Sequence, residues 1–136
     1  SSSPGNRFIP GKRPMSTMNP VIVKNKDNNV SIVTGSPGGS FIPAAALRVI
    51  TGIIDFNLDV GQATMLPRIH KDWPYAGLEY ESTLSSDIVS VLERLGHQPE
   101  PSKTLGSTQS ITIIDGINYG YADLRRPNAG VAIQVD

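Results

Sequence analysis

Seven residues, Thr34-Gly35-Ser36-Pro37-Gly38-Gly39-Ser40, constrain this chain more than any other stretch. They stand between the β-branched run Val30-Ser31-Ile32-Val33 and a segment in which Ile42, Ala46, Leu47, Ile50, Ile53 and Ile54 recur at helical spacing. A strand must therefore become a helix within a Pro-Gly-Gly turn. Glycine lacks Cβ, so the main chain there can take positive φ and approach a ligand closely. The amides of Gly38 and Gly39 would then be fixed donors at the positive end of a helix, suited to an oxyanion. A tight turn without a ligand explains the same glycines.

The rest of the chain sorts around that turn. Residues 1–20, with Pro4, Pro10, Pro14 and Pro20, read as an extended loop. Residues 21–24 and 30–34 flank the turn-rich Lys26-Asp27-Asn28-Asn29 and predict an antiparallel hairpin. After the glycines, Ser40 is placed to cap a helix, with Pro43 in its tolerated first turn, and that helix is apolar nearly all round, which predicts burial. A short helix is expected over residues 58–65, ending before Pro67, then a loop over residues 67–74. Residues 78–81 alternate like a strand. Ser85 or Ser86 should cap a helix whose Ile88, Val91, Leu92 and Leu95 share a face before Gly96 stops it. Residues 98–103 read as a proline-bearing link, residues 108–114 and 117–122 as a hairpin about Asp115-Gly116, and residues 131–135 as a possible last strand. Strands at both ends with helices between them define an α+β unit, antiparallel, with helices packed on one face. The organisation is residues 1–20 as a loop and residues 21–136 as one domain portion.

Composition removes several function classes. The 136 residues carry 12 basic and 12 acidic side chains, so no net field exists to hold nucleic acid. Cysteine is absent, which excludes disulfides, cysteine nucleophiles and thiolate metal sites. His70 and His97 lack metal-ligand spacing, so neither a metal nor a cofactor is expected. No stretch supplies the roughly 20 apolar residues of a membrane span, because Arg48 and Asp55 interrupt the longest candidate.

Few side chains carry plausible chemistry. Ser16 and Thr17 are adjacent hydroxyls suited to a carboxylate, with Lys12 and Arg13 adding positive potential, although ordinary loop contacts explain them too. Ser1 as an N-terminal nucleophile is disfavoured, since its polar run offers no strand to hold it. Arg68 and Arg125 lie in tight loop contexts where structural pairing is the simpler role. His70 beside Trp73 reads as a packed loop residue. The Gly106-Ser107-Thr108-Gln109-Ser110 segment is as consistent with a polar strand entrance as with a buried site.

Together, residues 12–20, 34–40, 63–73 and 106–110 resemble the γ-glutamyltranspeptidase small subunit in order and spacing. The resemblance runs over residues 6–125. It implies part of a four-layer αββα N-terminal nucleophile hydrolase sandwich, made by autocleavage of a precursor into two subunits. By similarity, Gly38 and Gly39 form the oxyanion hole and Ser16 and Thr17 hold the α-carboxylate of a γ-glutamyl group. Thr17 departs mildly from the family, whose second hydroxyl is commonly serine. The family's Asp-Pro-Arg appears as Asp123-Leu124-Arg125, so Arg68, Asp123 and Arg125 are carried over as structural residues only.

The nucleophilic threonine of that family belongs upstream of residue 1, so this segment alone is expected to be inactive. Implied partners are the large subunit and the upstream part of the small subunit, with glutathione or another γ-glutamyl donor as substrate. Implied location is the periplasm or the cell exterior. Alternatives are a related acylase or capsule-polymer transpeptidase on the same fold, or a non-catalytic structural module.

Overall fold

A computed structural model describes residues 7–16, 18–75 and 77–133. The predicted first hairpin forms as β1 (Val21–Lys24) and β2 (Val30–Gly35). Its turn is organised by Asn25, whose side-chain oxygen accepts from the N–H groups of Asp27 and Asn29, with Asn28 in the left-handed region at φ 66°. The chain then runs through α1 (Phe41–Ile54), α2 (Val60–Met65), β3 (Ile69–His70), β4 (Gly77–Glu81), α3 (Ser86–Arg94), β5 (Gln98–Ser102), β6 (Gln109–Ile114) and β7 (Ile117–Ala122).

β1, β2, β6 and β7 make an antiparallel sheet in that order, so the two hairpins meet through β2 and β6. Register places Ile32 opposite Thr112 and Thr34 opposite Ser110 on one face. That face is buried under α1 and α2, which contribute Ala45, Ala46, Val49, Val60 and Ala63. Fully burying Val49 alone is worth about 1.5–3 kcal/mol. The two hydroxyls of Thr34 and Ser110 satisfy each other at 2.7 Å, as a buried polar pair must.

Several expectations need correction. α1 is not buried all round: Ile42, Ala45, Ala46, Val49 and Gly52 face the core, while Leu47 and Ile54 are exposed. Ser40 does not cap α1. Its backbone is already helical at φ −64°, ψ −22°, and the first helical N–H groups bond instead to the carbonyls of Gly38 and Gly39. The cap forms at α2, where Asp59 and Gln62 exchange side-chain bonds to each other's backbone N–H. α3 ends as predicted, with Gly96 at φ +85° and the paired bonds Gly96 N–H to Glu93 and His97 N–H to Leu92. At the start of α3, Ser85 makes no side-chain bond that caps the helix.

The expected loop over residues 67–74 contains β3, and the expected link over residues 98–103 contains β5. Pro99 and Pro101 are tolerated because β5 is an edge strand, paired among the described residues only with β4. That pairing is parallel, so the second sheet, β3-β4-β5, is mixed rather than antiparallel. Residues 131–133 form no strand, and the remainder of that expected element lies outside the described residues.

Candidate active site

The sheet register gathers the singled-out segments at one end. Val21 pairs with Thr34, so Pro20 runs beside Gly35, 3.8 Å from where a Cβ on that glycine would sit. Gln109 pairs with both Gly35 and Ala122. The loop ending at Pro20, the turn beginning at Ser36, the entrance to β6 and the exit from β7 therefore leave the sheet along a common edge.

In the turn, Gly38 has φ +136° and Gly39 φ +61°, conformations that side chains disfavour. The Gly38 and Gly39 carbonyls are spent on the first turn of α1. Among the described residues, nothing accepts from the N–H of either glycine, and both residues are exposed. Two donors are thus left available at a helix start, where the macrodipole adds to them. An open depression of about 330 Å³ lies alongside, lined by Pro37, Gly38, Phe41, Gly106, Ser107 and Arg126 among others.

Ser16 is exposed on the loop before β1, and its hydroxyl accepts from Met18 N–H at 3.3 Å. Thr17, its predicted companion, lies outside the described residues, as does Ser1.

Arg68, Asp123 and Arg125 come together beneath these loops. Arg68 Nη2 reaches Asp123 Oδ2 at 2.7 Å, with the two side chains 2% and 0% exposed. Its Nη1 donates to the carbonyls of Leu105 and Gly106. Arg125 grips Glu81 bidentately, Nε to Oε1 at 2.7 Å and Nη2 to Oε2 at 2.6 Å, and touches Asp123 Oδ1 at 3.2 Å. Glu81 in turn accepts from the N–H of Arg68 and of Leu105, while Asp123 accepts from those of Thr108 and Arg125. Two cations and two anions thus balance within one buried cluster.

Burial works against the charged forms of Glu81 and Asp123. For Glu81 the Arg125 guanidinium and the Leu105 N–H outweigh it, and for Asp123 the Arg125 N–H and the Arg68 guanidinium do, so both carboxyls titrate below their ordinary range. Burial lowers the pKa of Arg68 despite Asp123, whereas at Arg125 contact with Glu81 overcomes burial and raises it. Arg68 Nε and the hydroxyls of Thr64 and Ser107 are buried without a partner among the described residues.

His70 lies against the edge of Phe41 at 4.8 Å between ring centres and bonds Asp72 at 2.9 Å. Asp72 also accepts from Ser40, and these two bonds, His70 first, hold its carboxyl below the usual value. The serine donates to the carboxylate and not to the histidine, so this is a loop clamp rather than a nucleophile relay. Trp73 is 92% exposed beside it.

Sequence reading missed Glu81, although it closes an alternating strand, and missed Ser36, whose hydroxyl joins Pro37 O at 2.7 Å and Ser107 N–H at 2.9 Å.

This sheet, covered on one face by helices and carrying two glycine donors that are unpaired among the described residues at the turn into a helix, has the fold of the N-terminal nucleophile hydrolases. A sequence profile described as gamma-glutamyltranspeptidase matches residues 1–133, and the chain belongs to that family. It is 43% identical over 121 residues to a glutathione hydrolase proenzyme of Escherichia coli K12, covering 88% of this chain and 21% of that protein. A Bacillus subtilis 168 glutathione hydrolase proenzyme is 33% identical, over 96% of this chain and 22% of the relative. A crystal structure of a mutant Helicobacter pylori γ-glutamyltranspeptidase superposes with TM-score 0.83 at 34% identity, covering 91% of this chain and 69% of that one. The chain thus spans about a fifth of the curated relatives it matches. No helix among the described residues is long and apolar enough to cross a membrane.

Proposed function

We propose that this chain is the C-terminal portion of a γ-glutamyltranspeptidase that moves the γ-glutamyl group of glutathione and related donors to amino acids, peptides or water. The observation that carries this is the pair of Gly38 and Gly39 N–H groups at the start of α1, on exposed residues and unengaged among the described residues. A hydroxyl supplied by residues outside this chain, a threonine by family resemblance, attacks the γ-carbonyl. The new C–O bond pushes the carbonyl electrons onto oxygen, and Gly38 and Gly39 N–H stabilise that oxyanion. Collapse expels the amine, which takes up the proton given up by the attacking hydroxyl, and leaves a γ-glutamyl ester. An acceptor amine or water then attacks the ester and regenerates the hydroxyl.

Ser16, with Thr17 next to it, receives the α-carboxylate of the donor, near the positive charge of Arg13. The Arg68, Glu81, Asp123 and Arg125 cluster supports the loops and takes no part in the chemistry. The partners are the large subunit and the upstream part of the small subunit. In support, Ile22, Val33 and Ile111 lie in register across the sheet face away from the helices, at 63%, 36% and 42% exposure, an apolar stripe of the kind a second sheet covers, with Val131 set against Gly120 at its β7 margin. The protein acts in the periplasm or outside the cell, as the resemblance implies.

The test is chromophore release by the full-length protein from a γ-glutamyl anilide and from the matching glutaryl anilide, which lacks the α-amine and α-carboxylate. Preference for the γ-glutamyl compound is expected. Preference for the glutaryl compound would assign an acylase on the same fold, and no turnover of either would leave a structural module.

A further inference from the structure

The amide that faces a developing oxyanion must point in one direction before the substrate arrives, and the structure shows what fixes it. Pro37 and Gly38 share one planar trans peptide, so the Pro37 carbonyl oxygen and the Gly38 N–H lie at opposite ends of the same rigid plate. Ser36 Oγ donates to that carbonyl at 2.7 Å and accepts from Ser107 N–H at 2.9 Å. Ser107 belongs to a segment whose backbone is held at every neighbouring step. Leu105 N–H goes to Glu81, the Leu105 and Gly106 carbonyls go to Arg68, and Thr108 N–H goes to Asp123. A Cβ on Gly106 would come within 2.9 Å of Ser36 Oγ, so the hydroxyl sits directly on that segment.

We propose that Ser36 is a positioning residue of the oxyanion hole: its hydroxyl ties the Pro37–Gly38 peptide to the fixed 105–108 segment and so aims the Gly38 N–H outward. The bond does a second thing. A donor on the carbonyl end polarises the peptide and strengthens its N–H as a donor, as in any hydrogen-bonded chain. The proposal rests on the γ-glutamyl transfer reading above.

Its test uses the full-length protein carrying Ser36→Ala and Ser36→Thr. With the γ-glutamyl anilide, Ser36→Ala should lower kcat roughly 10- to 100-fold, less than the about 100- to 1,000-fold expected from deleting a donor outright. KM should move less than about twofold, because the ground-state carbonyl gains little from the hole. Affinity for a boronic-acid analogue of the γ-glutamyl group, which forms a tetrahedral adduct, should fall by the same factor as kcat. Ser36→Thr, which keeps the hydroxyl, should recover most of both. An equal effect on KM and kcat, or no effect, would overturn the proposal. A wild-type protein without γ-glutamyl turnover would overturn the functional reading instead. The peptide itself is then read from a crystal structure of Ser36→Ala: a rotated Pro37–Gly38 plane supports the positioning role, and an unchanged plane removes it whatever the activity.

Discussion

Gly38 and Gly106 stand back to back, so close that a Cβ on Gly38 would lie 3.2 Å from the Gly106 Cα. Both are at positive φ, +136° and +81°. Each glycine is required twice over, by its own dihedral and by what a Cβ would meet, the Gly106 Cα for Gly38 and the Ser36 hydroxyl and Ala45 Cβ for Gly106. Gly38→Ala in the full-length protein should therefore lower kcat for a γ-glutamyl anilide by about 100-fold, the scale of one displaced oxyanion donor, with KM changed far less. Parallel losses in both constants would mean that the turn binds substrate rather than its transition state.

Gly39 gives a contrasting case. A Cβ there meets nothing within 4 Å, so only the φ of +61° opposes a side chain. Asparagine tolerates this region better than alanine. Gly39→Asn should retain more activity than Gly39→Ala, and steady-state kinetics on the two variants decides it; the reverse order would show that bulk, not backbone strain, limits the position.

Ser16 is tested by the split between binding and turnover. If Ser16 receives the donor's α-carboxylate as proposed, in ground and transition states alike, Ser16→Ala should raise KM roughly 10-fold and leave kcat nearly unchanged. A fall in kcat at constant KM would place Ser16 in the chemical step.

The charge cluster predicts stability and its pH dependence. Glu81→Gln removes the bidentate anion of the buried Arg125 guanidinium, leaving it the longer 3.2 Å contact with Asp123, and should cost about 3–5 kcal/mol in urea unfolding. Because Glu81 and Asp123 titrate lower folded than unfolded, their contribution is complete above the ordinary carboxylate range, about pH 4, and is lost as pH falls through their lower folded values. The urea midpoint should drop on acidification below about pH 4, and Glu81→Gln should shallow that decline. A variant with the same acid limb as the wild type would remove Glu81 from the account.

The sheet face away from the helices yields a test of partnership. Ile111→Lys on a solvent-facing strand should shift stability within about 0.5 kcal/mol, whereas burial against a second sheet would make the loss several-fold larger. The larger loss is expected for the full-length protein, read by thermal or urea unfolding.

Local signals explain what the sequence disclosed. Asp115 and Gly116, at φ 51° and 80°, announced their turn because few residues accept those angles. Gly38 and Gly39, also at positive φ, were legible for the same reason. β5 was hidden because Pro99 and Pro101 argue against a strand unless its edge position is known. Ser40 was misread because its hydroxyl serves Asp72, far along the chain, instead of its own helix. Arg68 and Asp123 showed only as residues suited to pairing; their actual partners, Glu81 included, are set by how two sheets pack, which no periodicity encodes.

The antiparallel order β1-β2-β6-β7 has a practical corollary at its other pole. The Asn25–Asn29 turn and the Asp115-Gly116 turn both project from the end of the sheet away from Gly38. A fluorophore, an affinity handle or a few inserted residues could be carried on either turn at a full strand's length from the Gly38 turn. Natural variation between related proteins should accumulate there for the same reason.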